Sequence, residues 1–399
     1  MNLRPNTPAM TAALAFFSAL GPLSTDMYLP SLPSLSAALG ATPAQGALTL
    51  SLYIAGFAVG QVIYGPLSDR FGRRPAMLGG IAVYVAGALA CAAAPSAGAL
   101  IAARFAQALG GAAPTVLTRA IIRDLYSGRR AARELARTGA VMGLAPALAP
   151  TFGGFLQEAS GWRSNFVAAA VAAVAMAAVV VWLLPETRRA PAQGGGGPGG
   201  PFGGFAGIAR DPAFRVNVAL MTFAFGGVFA WLSASSFVLQ GVFGLGPVAY
   251  GLAFGSCAAC YATSALFSNR VIARLGTRGA LVFGVSLYVV AGFAQLGLMA
   301  WGWRSPFSAI GPMMLYLAGN GIVGPLAVAG CVQPFPDRAG AASSLAGLVQ
   351  TTYAALIGVA VGAAIAATPL ALPIALALNA VASALALAVS GAARRGAQN

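Results

Sequence analysis

Apolar residues in this chain come in long, nearly unbroken runs, separated by short stretches where arginine, glycine and proline collect. Such runs lack the period-two alternation of membrane barrel strands. Their lengths instead match the ~20 residues that carry a helix across a bilayer. The pattern predicts spans over 10–34, 46–67, 76–94, 98–120, 138–156 and 165–184. A second set follows over 216–239, 248–269, 279–301, 307–332, 341–367 and 370–391. Between the sets, residues 188–212 hold Gly194 to Gly197, Gly199, Gly200, Pro191, Pro198 and Pro201, which reads as a flexible linker. The expected organisation is an N-terminal six-helix half over 1–187 and a C-terminal six-helix half over 213–399. The fold class is an all-α polytopic membrane protein of twelve transmembrane helices in two pseudo-symmetric halves.

An internal repeat supports the division. Arg70-Phe71-Gly72-Arg73-Arg74 follows the second span, and Arg274-Leu275-Gly276-Thr277-Arg278 follows the eighth, 204 residues later. The same R-x-G-x-R pattern in the same loop of each half is the mark of a duplicated transporter architecture.

Composition narrows the class further. Of the 399 residues, 58% are apolar and 8% charged, against about 25% charge in an ordinary soluble domain. All 23 basic residues are arginine, against 8 acidic ones, and the net charge is +15. In a soluble protein that balance would point to nucleic acid. Here the positions decide otherwise. With Arg4 in the cytoplasm, nearly every arginine group falls on one side of the bilayer, and only Arg104, Arg163 and Arg304 fall toward the other. Loops near 36–45, 95–97, 241–247 and 367–370 carry none. This is the positive-inside pattern with both termini cytoplasmic, and anionic lipid is the expected partner of the basic rim. The apolar stretch after Arg4 is too long, and with Asp26 too polar, for a cleaved signal, so it reads as the first span. Cys91, Cys257, Cys260 and Cys331 all lie in apolar runs. With no histidine, the Cys257/Cys260 spacing reads as small packing residues, not a metal site.

The twelve windows contain three charged side chains, Asp26, Arg104 and Arg119. Arg119 lies near a span end and can snorkel to the headgroups. Asp26 and Arg104 lie deeper, where an ionisable group costs ~2.5–3.5 kcal/mol on insertion scales and marks a functional site by default. A carboxylate in a partly dry cavity favours its proton, whereas water or a cation favours the charged form. Asp26 therefore suits a proton-coupling role, with Arg104 offsetting its charge or stabilising it when the proton leaves; the alternative for Arg104 is a helix-packing arginine that reaches the outer headgroups. An alternative for Asp26 is capping, because Pro30 and Pro33 break the helix just beyond.

These residues lie within motifs that resemble the major facilitator superfamily. Gly65-Pro66-Leu67-Ser68-Asp69-Arg70-Phe71-Gly72-Arg73-Arg74-Pro75 is similar to its loop 2–3 motif. Ser24-Thr25-Asp26-Met27-Tyr28-Leu29-Pro30-Ser31-Leu32-Pro33 resembles the first-helix motif of drug:proton antiporters, particularly the Bcr/CflA drug-resistance subfamily. Arg104-Phe105-Ala106-Gln107-Ala108-Leu109-Gly110, Ile122-Arg123-Asp124-Leu125-Tyr126, Gly161-Trp162-Arg163 and Pro185-Glu186-Thr187 fit as well. Ala145-Pro146-Ala147-Leu148-Ala149-Pro150-Thr151-Phe152-Gly153-Gly154 is similar to the antiporter motif of the fifth span.

The resemblance implies the superfamily's fold and a proton-coupled multidrug or antibiotic exporter working by alternating access in the bacterial inner membrane. It implies no enzymatic activity and no cofactor, the proton gradient being the energy source, and a monomer. Asp26 and Arg104 would couple protons to cargo. Gly65, Asp69, Arg70, Gly72, Arg73, Arg74 and Asp124 would form a gate or latch on the cytoplasmic side. Pro146 and Pro150 would bend the fifth span, and Gly153 and Gly154 would let it pack closely. Ser18 stands where some relatives carry a second carboxylate, and Ala273 stands in the second half where Asp69 stands in the first. An amphipathic small-molecule drug suits aromatic and amide side chains in the spans. The candidates are Tyr28, Tyr53, Phe57, Gln61, Gln107, Phe229, Trp231, Tyr316 and Asn320. The alternative on the same fold is export of a natural metabolite such as an amino acid or sugar. An intramembrane enzyme lacks its usual acid–base or metal groups, and with no lysine there is no P-loop for nucleotide-driven pumping.

Overall fold

The first helix, α1 (Pro8–Asp26), begins where the Thr7 hydroxyl accepts the Met10 N–H, and it ends at Asp26. Proline explains the stop. The partner of the Asp26 carbonyl would be the N–H of residue 30, and Pro30 has none. The chain continues as a 3₁₀ turn (Leu29–Ser31) and a short α2 (Leu32–Ala38). The single first span expected over 10–34 is thus broken, and Asp26 sits at the break.

The structure is a computed structural model describing residues 7–187, 205–303 and 305–396. Arg4, Arg188, Arg189, Arg304 and the linker stretch 188–204 lie outside the described residues. Further along are α3 (Pro43–Phe71), α4 (Arg73–Ala92), α5 (Ala97–Leu125), α6 (Gly128–Ser160) and α7 (Arg163–Trp182). Then come α8 (Phe205–Arg210), α9 (Pro212–Ser236), α10 (Pro247–Ala300), α11 (Phe307–Val332), α12 (Ala339–Ile365) and α13 (Ala371–Gly396). Short α8 occupies the end of the predicted linker, where Ile208 is buried.

Among the described residues, ten helices are long and apolar enough to cross a membrane. One of them, α10, consists of two arms meeting at Gly276, whose φ of 68° is open to glycine. Counting both arms, and α1, recovers the twelve predicted segments. Gly72, between α3 and α4, has φ 100°. The two R-x-G-x-R repeats therefore make their turns at the same glycine, with positive φ in both.

The fifth span differs most from expectation, starting at 128 instead of 138. Arg129, Arg130, Arg133, Glu134 and Arg137 lower the hydropathy there, yet arginine, alanine, leucine and glutamate are good helix formers. Glu134 and Glu158 consequently belong to this helix, so charge within the spanning helices is not confined to Asp26, Arg104 and Arg119. Buried Glu134 accepts from the Thr11 hydroxyl at 2.9 Å and from Arg137 at 2.9 Å.

Two compact units form, Met1–Gln193 with Leu245–Gly255, and Gly194–Gly244 with Ser256–Asn399. In the first, α5 packs against α3, α4 and α1, while α6 packs on α1 and α7 on α4. In the second, α9 packs against α11, α12 and α13. Lipid removes the hydrophobic incentive for helices to associate, so close packing by small residues takes over. Both central helices fit this. The buried face of α5 includes Ala103, Ala108, Gly110, Gly111, Ala112 and Ala113, and that of α9 includes Ala224, Gly226, Gly227, Ala230, Ser233 and Ala234. Large apolar side chains such as Val62, Leu148, Val171, Leu266 and Leu378 are left exposed, as a lipid-facing surface requires. The chain is a multi-pass membrane protein.

Candidate functional site: a caged arginine at the end of the first helix

Arg104 is carried by α5 into the interior of the first unit and has no exposed surface. Its guanidinium lies 4.2 Å from the ring centroid of Tyr28 and 4.2 Å from that of Tyr53, with Phe166 at 5.7 Å. It donates to Gln107 Oε1, one turn along α5, at 2.8 Å, and to the Ser24 carbonyl at 3.1 Å. The second bond follows from the break at Pro30. Ser24 belongs to the last turn of α1, where its carbonyl accepts no backbone N–H among the described residues and carries partial negative charge. A cation is well placed there. The cage is braced by Tyr28, whose hydroxyl lies 3.1 Å from Thr49 Oγ1, and by Ser24 and Tyr84, whose hydroxyls are bonded to each other.

Asp26 is buried two residues beyond the carbonyl that holds Arg104, yet no ion pair joins the two side chains among the described residues. The expected charge offset is thus not made in this structure. Arg104 is satisfied by rings, an amide and a backbone carbonyl. Arg104 Nε is buried with no hydrogen-bond partner among the described residues, so the cage keeps one uncommitted donor near a titratable carboxylate.

Several candidate cargo residues are therefore parts of the cage: Tyr28, Tyr53 and Gln107 all contact Arg104. Phe57, half-buried, stacks near Tyr53 at 6.5 Å, and Gln61 is exposed one turn further along α3. In the second unit, Phe229 and Trp231 are fully buried on α9. Tyr316 stacks on Tyr288 at 4.4 Å and bonds to the Phe223 and Ala224 carbonyls at 3.4 Å. Tyr288 donates to Asn320 Oδ1 at 3.1 Å. Phe229, Trp231, Tyr288 and Tyr316 are buried in the interior of that unit, and Asn320 is half-buried beside them.

The motif between α3 and α4 builds a second polar cluster. Arg73 reaches Asp124 Oδ2 at 2.8 Å, Ser68 Oγ at 2.7 Å and Asp69. Its pair with Asp124 is largely buried, whereas the Asp69 side chain is 68% exposed, so Asp124 is the stronger anchor. Glu186 completes the cluster by accepting the Arg73 N–H at 2.8 Å and the Arg74 N–H at 3.1 Å, two donors in the first turn of α4 that lack helical partners. A Cβ on Gly72 would come within 2.7 Å of Glu186 Oε2. Pro185-Glu186-Thr187 is recognisable as a motif, but nothing in its residue types reveals this capping role. Arg70 lies over the Phe71 ring, Arg74 donates to the Val181 carbonyl, and Gly65 has open space around it.

On α6, a Cβ at Gly153 would collide with the Met27 carbonyl, so α6 touches the chain right after Asp26 backbone to backbone. At Gly154 a Cβ would lie 2.5 Å from the Pro247 carbonyl, in the stretch of α10 that belongs to the first unit. Glu158 accepts the Val248 N–H there at 3.2 Å. Pro146 and Pro150 lie within α6. Gly153→Ala is expected to destabilise the protein by about 1–3 kcal/mol through overpacking and to displace the Asp26 turn. Thermal unfolding of the purified variant in detergent checks this, and an unchanged midpoint would refute it.

The family model described as Major Facilitator Superfamily matches residues 14–359. A bicyclomycin resistance protein homolog of Haemophilus influenzae is 28% identical over 366 residues, covering 90% of each chain. A chloramphenicol resistance protein of Pseudomonas aeruginosa is 30% identical over 364 residues, 89% of this chain and 82% of the relative. Multidrug resistance protein D of Escherichia coli is 26% identical over 84% of each chain. Among solved structures, a bacterial homolog of the human lysosomal transporter Spinster matches with a TM-score of 0.77 at 16% identity, over 99% of this chain and 98% of that one. A D-xylose–proton symporter matches with a TM-score of 0.71 at 14% identity, over 94% and 96%.

Proposed function

Because the chain belongs to the major facilitator superfamily, we propose that it is a proton-coupled drug exporter of the bacterial inner membrane, working by alternating access. The observation that carries the reading is Asp26. It is a buried carboxylate at a proline-made helix end, two residues beyond the carbonyl that holds a caged guanidinium and paired with no cation among the described residues. Such a group can exchange a proton for a cationic or polar cargo. The drug-resistance relatives supply the cargo class, since a small amphipathic drug or antibiotic is what their names describe.

In this reading cargo enters from the cytoplasm or the inner leaflet while Asp26 is ionised. Protonation from outside releases it, and return of the proton inward resets the cycle. Arg104 stabilises the carboxylate after the proton leaves. Its uncommitted Nε provides the donor for that step. The Arg73–Asp124–Asp69 cluster serves as the cytoplasmic latch. The arginine distribution supports cytoplasmic termini and contact with anionic lipid. The working unit is a monomer driven by the proton gradient without a cofactor, and it is a transporter, not an enzyme.

Expression in a host stripped of its own exporters tests the cargo class. Raised tolerance to at least one drug from a panel containing bicyclomycin, chloramphenicol and cationic dyes is the expected result. No tolerance to any drug, together with accumulation of an amino acid or sugar in the medium, would replace drug by metabolite.

A further inference from the structure

Beyond the caged arginine, the first unit has a cavity of about 380 Å³ lined by Gln61 of α3, Val116, Arg119 and Arg123 of α5, and Leu135 of α6. Arg119 and Arg123 are four residues apart, so both side chains leave the same face of α5 one turn from each other. Both are exposed. Like charges at this spacing repel, and among the described residues neither arginine has an ion pair or hydrogen-bond partner. The carboxylates on the neighbouring stretches are committed elsewhere. Asp124 is held by Arg73, and Glu134 by Thr11 and Arg137. Val116 and Leu135 make the walls apolar, and Gln61 adds an amide. The site is an open groove, and its volume falls in the range of small-molecule sites.

We propose that this cavity binds the anionic group of an amphipathic small molecule, with Arg119 and Arg123 as a paired guanidinium clamp and Gln61 as an additional hydrogen-bonding group. The chemistry is a carboxylate, sulfonate or phosphate on an apolar body. Guanidinium suits it, because its planar fork matches oxyanions and it is less costly to desolvate than an ammonium. The inference goes beyond drug export and rests on that reading only in taking the bound molecule as cargo. It extends the cargo range from the cations that Asp26 can neutralise to anions and zwitterions. It also replaces the expectation that Arg119 merely snorkels. An anionic lipid headgroup offers the same chemistry, and the lipid arm of the test distinguishes the two sources.

Fluorescein and rhodamine 123 share a xanthene body and differ in charge. Their binding to the full-length protein in phosphatidylcholine nanodiscs, followed by fluorescence anisotropy, is the direct probe. Fluorescein is expected to bind the wild type, to lose ~10-fold in affinity with each of Arg119→Gln and Arg123→Gln, and to recover part of that with Arg119→Lys or Arg123→Lys. Rhodamine 123 is expected not to weaken in the same variants, which also reports that they are folded. Replacing part of the phosphatidylcholine by phosphatidylglycerol repels the dye from wild type and variants alike, so the readout is the wild-type advantage over the glutamine variants, which should persist if the occupant is cargo. Loss of that advantage in phosphatidylglycerol would assign the clamp to a lipid headgroup and overturn the cargo assignment. Equal fluorescein affinity in wild type and both glutamine variants, no fluorescein binding to the wild type, or parallel loss of both dyes would overturn the proposal. Equilibrium binding needs no proton gradient, so its failure would leave the exporter reading standing, and failure of gradient-driven export would leave this result standing.

Discussion

Asp26→Asn is expected to abolish proton-driven drug export while leaving the protein folded and in the membrane. Asparagine keeps the shape and hydrogen-bonding capacity of a protonated aspartic acid but cannot release a proton. No salt bridge is lost, because Asp26 makes none in this structure. The end of α1 is set by Pro30 and not by the carboxylate, so the backbone break persists. The expected stability change is therefore small, within about 1 kcal/mol, against complete loss of gradient-driven flux. Export from energised inverted vesicles, normalised to protein in the membrane, is the readout. Undiminished export by Asp26→Asn would remove Asp26 from the mechanism.

Arg104→Lys is expected to fail for a different reason, with both stability and transport falling together. The guanidinium lies against two tyrosine rings at 4.2 Å and bonds to Gln107 and Ser24 in fixed directions. Each ring contact contributes about 0.5–2 kcal/mol, and a hydrogen bond to a charged group about 1.5–3 kcal/mol. An ammonium keeps the charge but cannot stack flat between two rings while reaching both acceptors. A net loss of about 2–4 kcal/mol follows. Arg104→Gln removes the charge as well and leaves the α1 carbonyls without their cation. Thermal unfolding in detergent and vesicle export, measured on both variants, separate the cage from proton coupling. A stable but inactive Arg104→Gln would mean that the charge, and not the packing, is what matters. Wild-type stability and activity in Arg104→Lys would contradict the cage.

Much of this arrangement is legible in the residues, for identifiable physical reasons. Apolar runs locate the spans because backbone polar groups in lipid must be satisfied within a helix. Gly72 and Gly276 are readable as turns because each sits in the same short arginine-flanked loop, and both adopt positive φ. Asp26 and Arg104 stand out because charge is scarce at depth. What sequence alone cannot show is who meets whom. The relation of Arg104 to the Ser24 carbonyl, 80 residues away, depends on tertiary packing. Hydropathy also conceals the first ten residues of α6, because arginine and glutamate there lower the apolar signal without opposing the helix. Buried Glu134 is concealed with them. Glu186 carries no local sign that it caps α4, since its two partners are backbone N–H groups more than a hundred residues earlier. Tyr28, Tyr53 and Gln107 are recognisable as aromatic and amide groups inside spans. That they first serve an arginine emerges only from the packing.

The central claim is that one carboxylate exchanges protons for drug. The most direct measurement uses proteoliposomes with an acidic lumen, an internal pH-sensitive dye, and an external drug that scores in the resistance panel. The account predicts that drug enters the wild-type vesicles while the lumen becomes more alkaline, and that Asp26→Asn shows neither movement. Drug uptake with no change in luminal pH, or gradient-driven drug uptake that survives in Asp26→Asn, would contradict it.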